Sequence, residues 1–240
     1  LPKDEAAAEP KVEKSEPEQP LGKMLHELFS QPLLSELPEV NLPVDITIQQ
    51  IEGKNLQLVS NGEKTMIDSV LLKGNTERSN VNIDTFKVNA PQGTVALIGK
   101  ATLADNWPLS LTLNSALNIP ELRGEKVKAT FAGEVVGDLK LSVNVSGPVS
   151  VHLSAETSLA KPEMPLSLTV ESKKIQWPIT GKADYQADNL RLRLTGKATD
   201  YVLSLRTDLS GAEVPPAQMT LDGKGNVEQF RLSRLRLSAL

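Results

Sequence analysis

Leu139-Lys140-Leu141-Ser142-Val143-Asn144-Val145-Ser146 is followed by a Gly147-Pro148 break and then by Val149-Ser150-Val151-His152-Leu153-Ser154. Aliphatic and polar residues alternate strictly on both sides of the break. A period of two puts every aliphatic side chain on one face of a strand and every polar one on the other. The Gly-Pro pair punctuates the run as a turn between two such strands. The reading is all-β, and each strand carries one oily face that something must cover.

The same alternation extends in both directions. Upstream it appears in Val44, Ile46 and Ile48, in Leu56 and Leu58, in Val81 and Ile83, and in Leu109, Leu111 and Leu113 after Trp107-Pro108. Phe86 and Val88 continue the Val81–Ile83 run in the opposite phase, which places a bulge near Asp84-Thr85. Downstream come Leu166, Leu168 and Val170, then Leu190, Leu192 and Leu194 between Arg191 and Arg193, then Tyr201, Leu203 and Leu205. The stretch from Phe230 to Leu240 still reads as strand. Turns are expected at Asn61-Gly62, Lys73-Gly74-Asn75, Gly137-Asp138, Ser146-Gly147-Pro148 and Gly223-Lys224-Gly225-Asn226. Short connectors favour an antiparallel meander. About fourteen strands at ~4.8 Å spacing make a sheet roughly 65 Å wide, and sheets that wide curl, split or close. Pro-Leu-Ser-Leu-Thr at 108–112 and again at 165–169 is an internal echo without a fixed period.

Two segments precede the strands. Residues 1–20 are acidic and dotted with Pro2, Pro10, Pro17 and Pro20, a composition that reads as a disordered linker. Residues 21–37 read as an amphipathic helical segment. Leu21, Met24, Leu25, Leu28 and Phe29 form one apolar stripe, and Pro32 stops the helix. Such a helix either caps the first strand or lies as a lid in an apolar trough. From residue 44 to 240 the chain reads as one continuous β domain.

Composition removes several function classes. The 240 residues carry a formal net charge of −4 and a pI near 5.4, without the basic excess a nucleic-acid partner requires. Cysteine is absent, which excludes disulfides, thiolate metal sites and Cys nucleophiles. No apolar run reaches the roughly 18–20 residues that span a bilayer, and no signal peptide opens the chain. The chain begins at Leu1 rather than Met, and reads as a piece of a longer protein. Aromatic residues are only 3% of the total, too few for rings to bridge two sheets, so the oily face is nearly all Leu, Val and Ile. His26 and His152 are the only histidines and are far apart in sequence. No nucleophile elbow, Walker motif or dinucleotide fingerprint occurs, and Asp184 and Asp188 flank Tyr185 in what reads as a solvated, turn-rich stretch. Neither an enzyme nor a cofactor is expected.

Several strings resemble the TamB family. They include Asp105-Asn106-Trp107-Pro108, Gly124-Glu125-Lys126-Val127-Lys128, Trp177-Pro178-Ile179-Thr180-Gly181 and Tyr185-Gln186-Ala187-Asp188-Asn189-Leu190. Pro215-Pro216-Ala217 with Leu221-Asp222 and Lys224-Gly225-Asn226 fits as well, and the resemblance covers about residues 21 to 240. It implies the AsmA-like, bridge-type lipid transport proteins of Gram-negative bacteria. These are anchored in the inner membrane by an N-terminal helix, cross the periplasm on a β-sheet folded like a taco around an apolar groove, and engage TamA, an outer-membrane Omp85 barrel, through a C-terminal domain missing here.

On that resemblance the chain is a periplasmic segment of a phospholipid conduit. The groove is expected to be lined by Val44, Ile46, Ile48, Leu109, Leu111, Leu113, Leu139, Leu141, Val143, Val145, Val149, Val151, Leu153, Leu166, Leu168, Val170, Leu190, Leu192, Leu194, Leu203 and Leu205. The alternative is a scaffold for outer-membrane protein assembly that templates client strands at a sheet edge. Without the resemblance, the pattern fits an ordinary two-sheet sandwich with a dry core. A sheet interrupted at Leu240 is also expected to pair end to end with a second copy.

Overall fold

The computed structural model describes residues 21–240; the acidic stretch read as a linker lies outside the described residues. One helix, α1 (Leu21–Ser30), precedes the strands β1 (Ile46–Ser60), β2 (Glu63–Glu77), β3 (Asn80–Ala90), β4 (Gly93–Thr102), β5 (Pro108–Leu117), β6 (Lys126–Glu134), β7 (Asp138–Ser146), β8 (Ser150–Ser158), β9 (Pro165–Trp177), β10 (Tyr185–Lys197), β11 (Asp200–Gly211), β12 (Ala217–Gly225) and β13 (Phe230–Ala239). The thirteen strands form one sheet in sequence order, every pair antiparallel. The sheet is curved and unclosed, with β1 and β13 as its edges. The expected all-β antiparallel sheet with a short N-terminal helix is the observed fold, and the two-sheet sandwich is excluded among the described residues.

Details differ from expectation. Ile46–Ile48 and Leu56–Leu58 belong to one long strand, β1. Lys73-Gly74-Asn75 is not a turn but runs through β2, because a glycine is tolerated there opposite a bulge in β3. Gly223 and Gly225 lie inside β12, and the turn follows at residues 226–229, where Asn226 Oδ1 accepts from the backbone N–H of Glu228 and Gln229. The helix is shorter than the 21–37 segment. Ser30 Oγ donates to the Glu27 carbonyl at 2.7 Å, and Pro32 disfavours helical geometry at Gln31. Residues 31–45 then run without helix or strand.

Long strands keep one apolar face by an economical device. In β1, β3 and β13 the aliphatic phase slips by one residue, so that Ile48 and Ile51, Ile83 and Phe86, and Leu232 and Leu235 are three apart. Each pair lies opposite residues only two apart: Gly74 and Leu72, Gly99 and Leu97, Gly223 and Leu221. The extra residue is a bulge, and it returns the second aliphatic side chain to the first one's face. The bulge expected near Asp84-Thr85 is the one in β3. Between Asp188 and Arg191 a fourth slip, at positive-φ Asn189, does the same for β10.

Buried apolar side chains are few: Ala104, Leu139 and Ala198. All three lie at the end of the sheet that carries the turns leading from even to odd strands, together with buried Ser79, Ser158 and Thr199. Residues 21–45 cover that end by crossing the strands in reverse order. A methyl group at Gly22 would touch Glu228 Cα, in the β12–β13 turn, at 3.0 Å. Leu34 N–H donates to the Leu159 carbonyl between β8 and β9 at 2.9 Å. The Trp107 indole donates to the Pro38 carbonyl at 2.9 Å, and Val40 N–H to the Leu103 carbonyl at 2.8 Å, both between β4 and β5. Asn41 and Asp45 accept from Ser79 Oγ and Arg78 N–H in the β2–β3 turn. The segment therefore acts as a strap along one rim. Helix α1 neither caps β1, since it sits by the far turns, nor lies as a lid on the sheet with its stripe inward, since Leu21, Met24 and Leu28 are exposed.

Close strand approach makes some of the strand glycines costly to replace. Gly133, at φ +127°, faces the Asp138 backbone so closely that a Cβ would collide with its carbonyl oxygen. Gly53 meets only the movable Leu56 side chain. Gly133→Ala is expected to cost about 1–3 kcal/mol and Gly53→Ala within about 0.5 kcal/mol, read from urea midpoints at constant slope.

Candidate functional site

Residues directly opposite in an antiparallel pair share a face. Following the register across the sheet gives one uninterrupted file: Ile51, Leu72, Phe86, Leu97, Leu113, Ala129, Val143, Leu153, Val170, Leu192, Leu205, Leu221 and Leu235, one from every strand. A second file beside it, from Ile48 through Leu111, Leu141, Leu168, Leu194 and Leu203 to Leu232, contains only aliphatic, Phe, Ala and Gly positions. At ~4.8 Å per strand each file runs about 58 Å.

The residues expected to line the groove lie on this face except two. Val44 precedes β1 and Val149 lies in the β7–β8 turn. Of the whole set only Leu139 is buried; the others are half-buried, or exposed as at Val44 and Ile46. Ile51, Leu72, Phe86, Leu97, Ala129, Leu221 and Leu235 complete the file and were not anticipated as lining residues. The three-residue spacing across the bulges was the signal that could have found Ile51, Phe86 and Leu235.

The opposite face is mostly polar, with Leu71, Ile98 and Val202 scattered on it. Lys140 meets Glu156 at 3.6 Å and Arg191 meets Glu171 at 3.5 Å across neighbouring strands. His152 lies there too, its Nδ1 2.6 Å from Asn144 Oδ1, far from His26 in α1. No group of carboxylates and histidines among the described residues is placed to hold a metal. Asp188, expected in a turn, is inside β10 and accepts from Gln186 Nε2 at 2.8 Å. A depression of about 730 Å³ at one end of β1–β5 has a mixed lining, with Asp45, Asn75 and Lys100 beside Val81, Ala101 and Leu109.

Two carboxylates knit turns together at opposite ends of the strands. Glu125, buried between β5 and β6, accepts from Val149 N–H at 2.6 Å and so ties down the β7–β8 turn. Glu163, on the strap side, accepts from Lys197 Nζ at 2.7 Å and from Thr199 Oγ1 at 3.2 Å, joining the β8–β9 and β10–β11 turns. The hydrogen bond from Lys197 holds the Glu163 carboxyl below the usual carboxylate range, with Thr199 and the Lys197 charge adding to it and His26 contributing a little. The Lys197 ammonium is raised for the reciprocal reason.

With this geometry in place, comparison with known proteins decides the family. The family model described as the TamB N-terminal domain matches residues 1–240. The chain belongs to this family. It is 26% identical over 251 residues to the translocation and assembly module subunit TamB of Haemophilus influenzae, covering 98% of this chain and 19% of that protein. It is 20% identical over 205 residues to an uncharacterized protein of Buchnera aphidicola, covering 81% of this chain and 20% of that protein. The chain thus spans about a fifth of the length of these two relatives. No solved structure matches it.

A depressed carboxyl stabilises the folded state above its unfolded pKa, and that contribution is lost as pH falls through the depressed value. Lys197→Met is expected to raise the Glu163 titration midpoint toward the ordinary carboxylate value and to move the loss of the turn–turn contact to higher pH. Side-chain carboxyl NMR titration of both forms measures the shift.

Proposed function

We propose that this TamB-family segment is a stretch of a conduit that carries phospholipid acyl chains through the bacterial envelope. The observation that carries the reading is the unbroken aliphatic file across thirteen strands, half-exposed, with no second layer of structure on it among the described residues. Monomeric proteins rarely leave a contiguous apolar surface of this extent unless it has an occupant. An acyl chain fits the chemistry. Each methylene kept from water contributes about 0.8 kcal/mol, and contacts with Leu, Val and Ile are non-directional, so a bound chain is held out of water yet free to slide from strand to strand. The sheet curves around the chains as a groove, with the polar face toward water. In this reading the segment sits in the periplasm, within a longer protein anchored in the inner membrane. No helix among the described residues is long and apolar enough to cross a membrane. The role belongs to a translocation and assembly module, the name its Haemophilus relative bears, with a TamA-like outer-membrane barrel as partner. No cofactor and no catalytic residue are required.

A second reading rests on β13. Every residue of this edge strand is exposed, and its free backbone presents a template for another strand. Such an edge would serve a client polypeptide in outer-membrane protein assembly, further strands of the same protein, or a second copy pairing end to end.

Three substitutions separate these roles. Leu192→Glu, in the middle of the aliphatic file, is expected to slow transfer of a fluorescent phospholipid between donor and acceptor vesicles at least tenfold, because a carboxylate cannot be solvated there. Thr169→Glu, on the polar face beside Arg193, is expected to leave transfer within twofold of the parent. Equal effects at the two positions would end the conduit reading. Arg236→Pro in β13, on the face away from the aliphatic file, is expected to reduce concentration-dependent association in sedimentation without abolishing transfer; loss of client assembly with transfer intact would favour the edge-templating role.

A further inference from the structure

The two rims of the sheet are not equivalent. The rim formed by the even-to-odd turns is crossed by residues 21–45, hydrogen-bonded to its turns at Arg78, Ser79, Leu103, Trp107 and Leu159, and it contains Ser79, Ala104, Leu139, Ser158, Ala198 and Thr199 in buried positions. The rim formed by the odd-to-even turns has neighbouring turns joined to each other, as Asn118 N–H to the Gln92 carbonyl at 2.8 Å and Ala212 N–H to the Asp184 carbonyl at 3.2 Å, but no described segment runs over it.

That second rim also carries the most exposed aromatic pair of the molecule. Tyr185 is opposite Trp177 on β9 and opposite Gly211 on β11, and Gly211 shares its face with Leu205 and Leu209. Both rings therefore stand on the aliphatic side, at the last rung before the turns. They are 64% and 61% exposed, whereas Trp107, on the strapped rim, is half-buried and spends its indole N–H on Pro38. A Trp–Tyr pair joins a broad apolar surface to polar tips and is suited to the boundary between hydrocarbon and water. Lys182 lies in the turn that joins these two strand ends, beside Asp184. Lys182 is in no ion pair among the described residues.

We infer that the odd-to-even rim is the side on which the phospholipid headgroup travels, with Trp177 and Tyr185 seating the glycerol region at the hydrocarbon boundary, and that the strapped rim is the closed spine. The inference rests on the conduit reading and refines it. Tails lie on the file of Leu192 and its neighbours; the phosphate projects past the two rings toward Lys182 in the turn beyond them. Residues 21–45 keep headgroups and water from entering on the other side.

Two photoreactive phospholipids test this with the full-length protein in vesicles: a phosphatidylethanolamine bearing benzophenone on its amine, and a phosphatidylcholine bearing a diazirine at mid-chain. The tail probe is expected to label the file, Leu113, Leu153 and Leu192 among it, and the headgroup probe the Trp177–Tyr185 rim. Headgroup labelling at Leu34, Pro38 or Glu163, or equally on both rims, would overturn the inference while leaving the conduit intact. A tail probe that labels neither face removes the conduit itself, and the inference with it. In a second measurement, Leu34→Cys and Leu159→Cys are joined by a short bis-maleimide, which pins the strap to its rim. Transfer within twofold of the unlinked protein is expected, and a tenfold loss would show that lipid passes under the strap. Trp177→Ala with Tyr185→Ala is expected to cut headgroup-probe labelling severalfold and leave tail-probe labelling of the file unchanged.

Discussion

A single layer of strands cannot hide its own apolar side, and that constraint governs the rest of this molecule. In a sandwich the oily faces of two sheets cover each other. Here the sheet is alone, and the apolar side chains bury only against their neighbours along and across the strands. Cohesion therefore comes from the hydrogen-bond ladders and from cross-strand aliphatic pairs, each contributing a few tenths of a kcal/mol to about 1 kcal/mol. A conventional core is nearly absent: the buried positions are small residues, polar groups tied into turns, and Leu139. Continuity of the aliphatic face is then the property that sequence must protect strand by strand.

Bulges threaten that continuity, because one inserted residue exchanges the two faces of everything beyond it. Yet strands as long as the 15 residues of β1 or β2 need irregularities to follow a curved sheet. The sequence reconciles the two demands by moving the aliphatic phase with the bulge. Ile48 to Ile51, Ile83 to Phe86 and Leu232 to Leu235 break alternation in the sequence so that the structure does not break it in space. The glycines opposite three of these residues, at 74, 99 and 223, serve the same end, since the adjacent backbone at 74 and 99 and the Phe230 ring at 223 come too near for a side chain.

What the sequence revealed follows from what is local. Period-two alternation exposed the strand class, the antiparallel order and most of the aliphatic face, and the phase change at Phe86 located its bulge. Glycine-rich strings were misleading in β2 and β12, because glycine marks close backbone approach as well as turns, and only the partner strand distinguishes the two. The strap was invisible for a different reason. Residues 31–45 have no periodicity, and their hydrogen bonds reach turns as much as 125 positions away, from Leu34 to Leu159. The amphipathic stripe of α1 correctly indicated a helix but not its place at the far turns. The Trp177–Tyr185 pair was not singled out because nothing local marks it; the register with Gly211 is what turns both rings to the aliphatic side.

Closing one rim and leaving the other uncovered has an energetic logic. A face that is covered on both sides would be a core, stable but inaccessible; a face uncovered on both sides would admit water along its whole length and lose the shielding that gives it value. The strap resolves this by burying the strand ends where glycines bring the backbone close and few side chains remain to exclude water. At the opposite rim the aliphatic file extends to aromatic rings rather than to a second segment of chain. Under the proposed function the occupant supplies the missing layer. Anything that binds the folded sheet and not the unfolded chain stabilises it in proportion to the logarithm of its concentration over its dissociation constant. Hydrocarbon in the groove would then be both cargo and core, which explains how so large a sheet is held with so little buried apolar surface of its own.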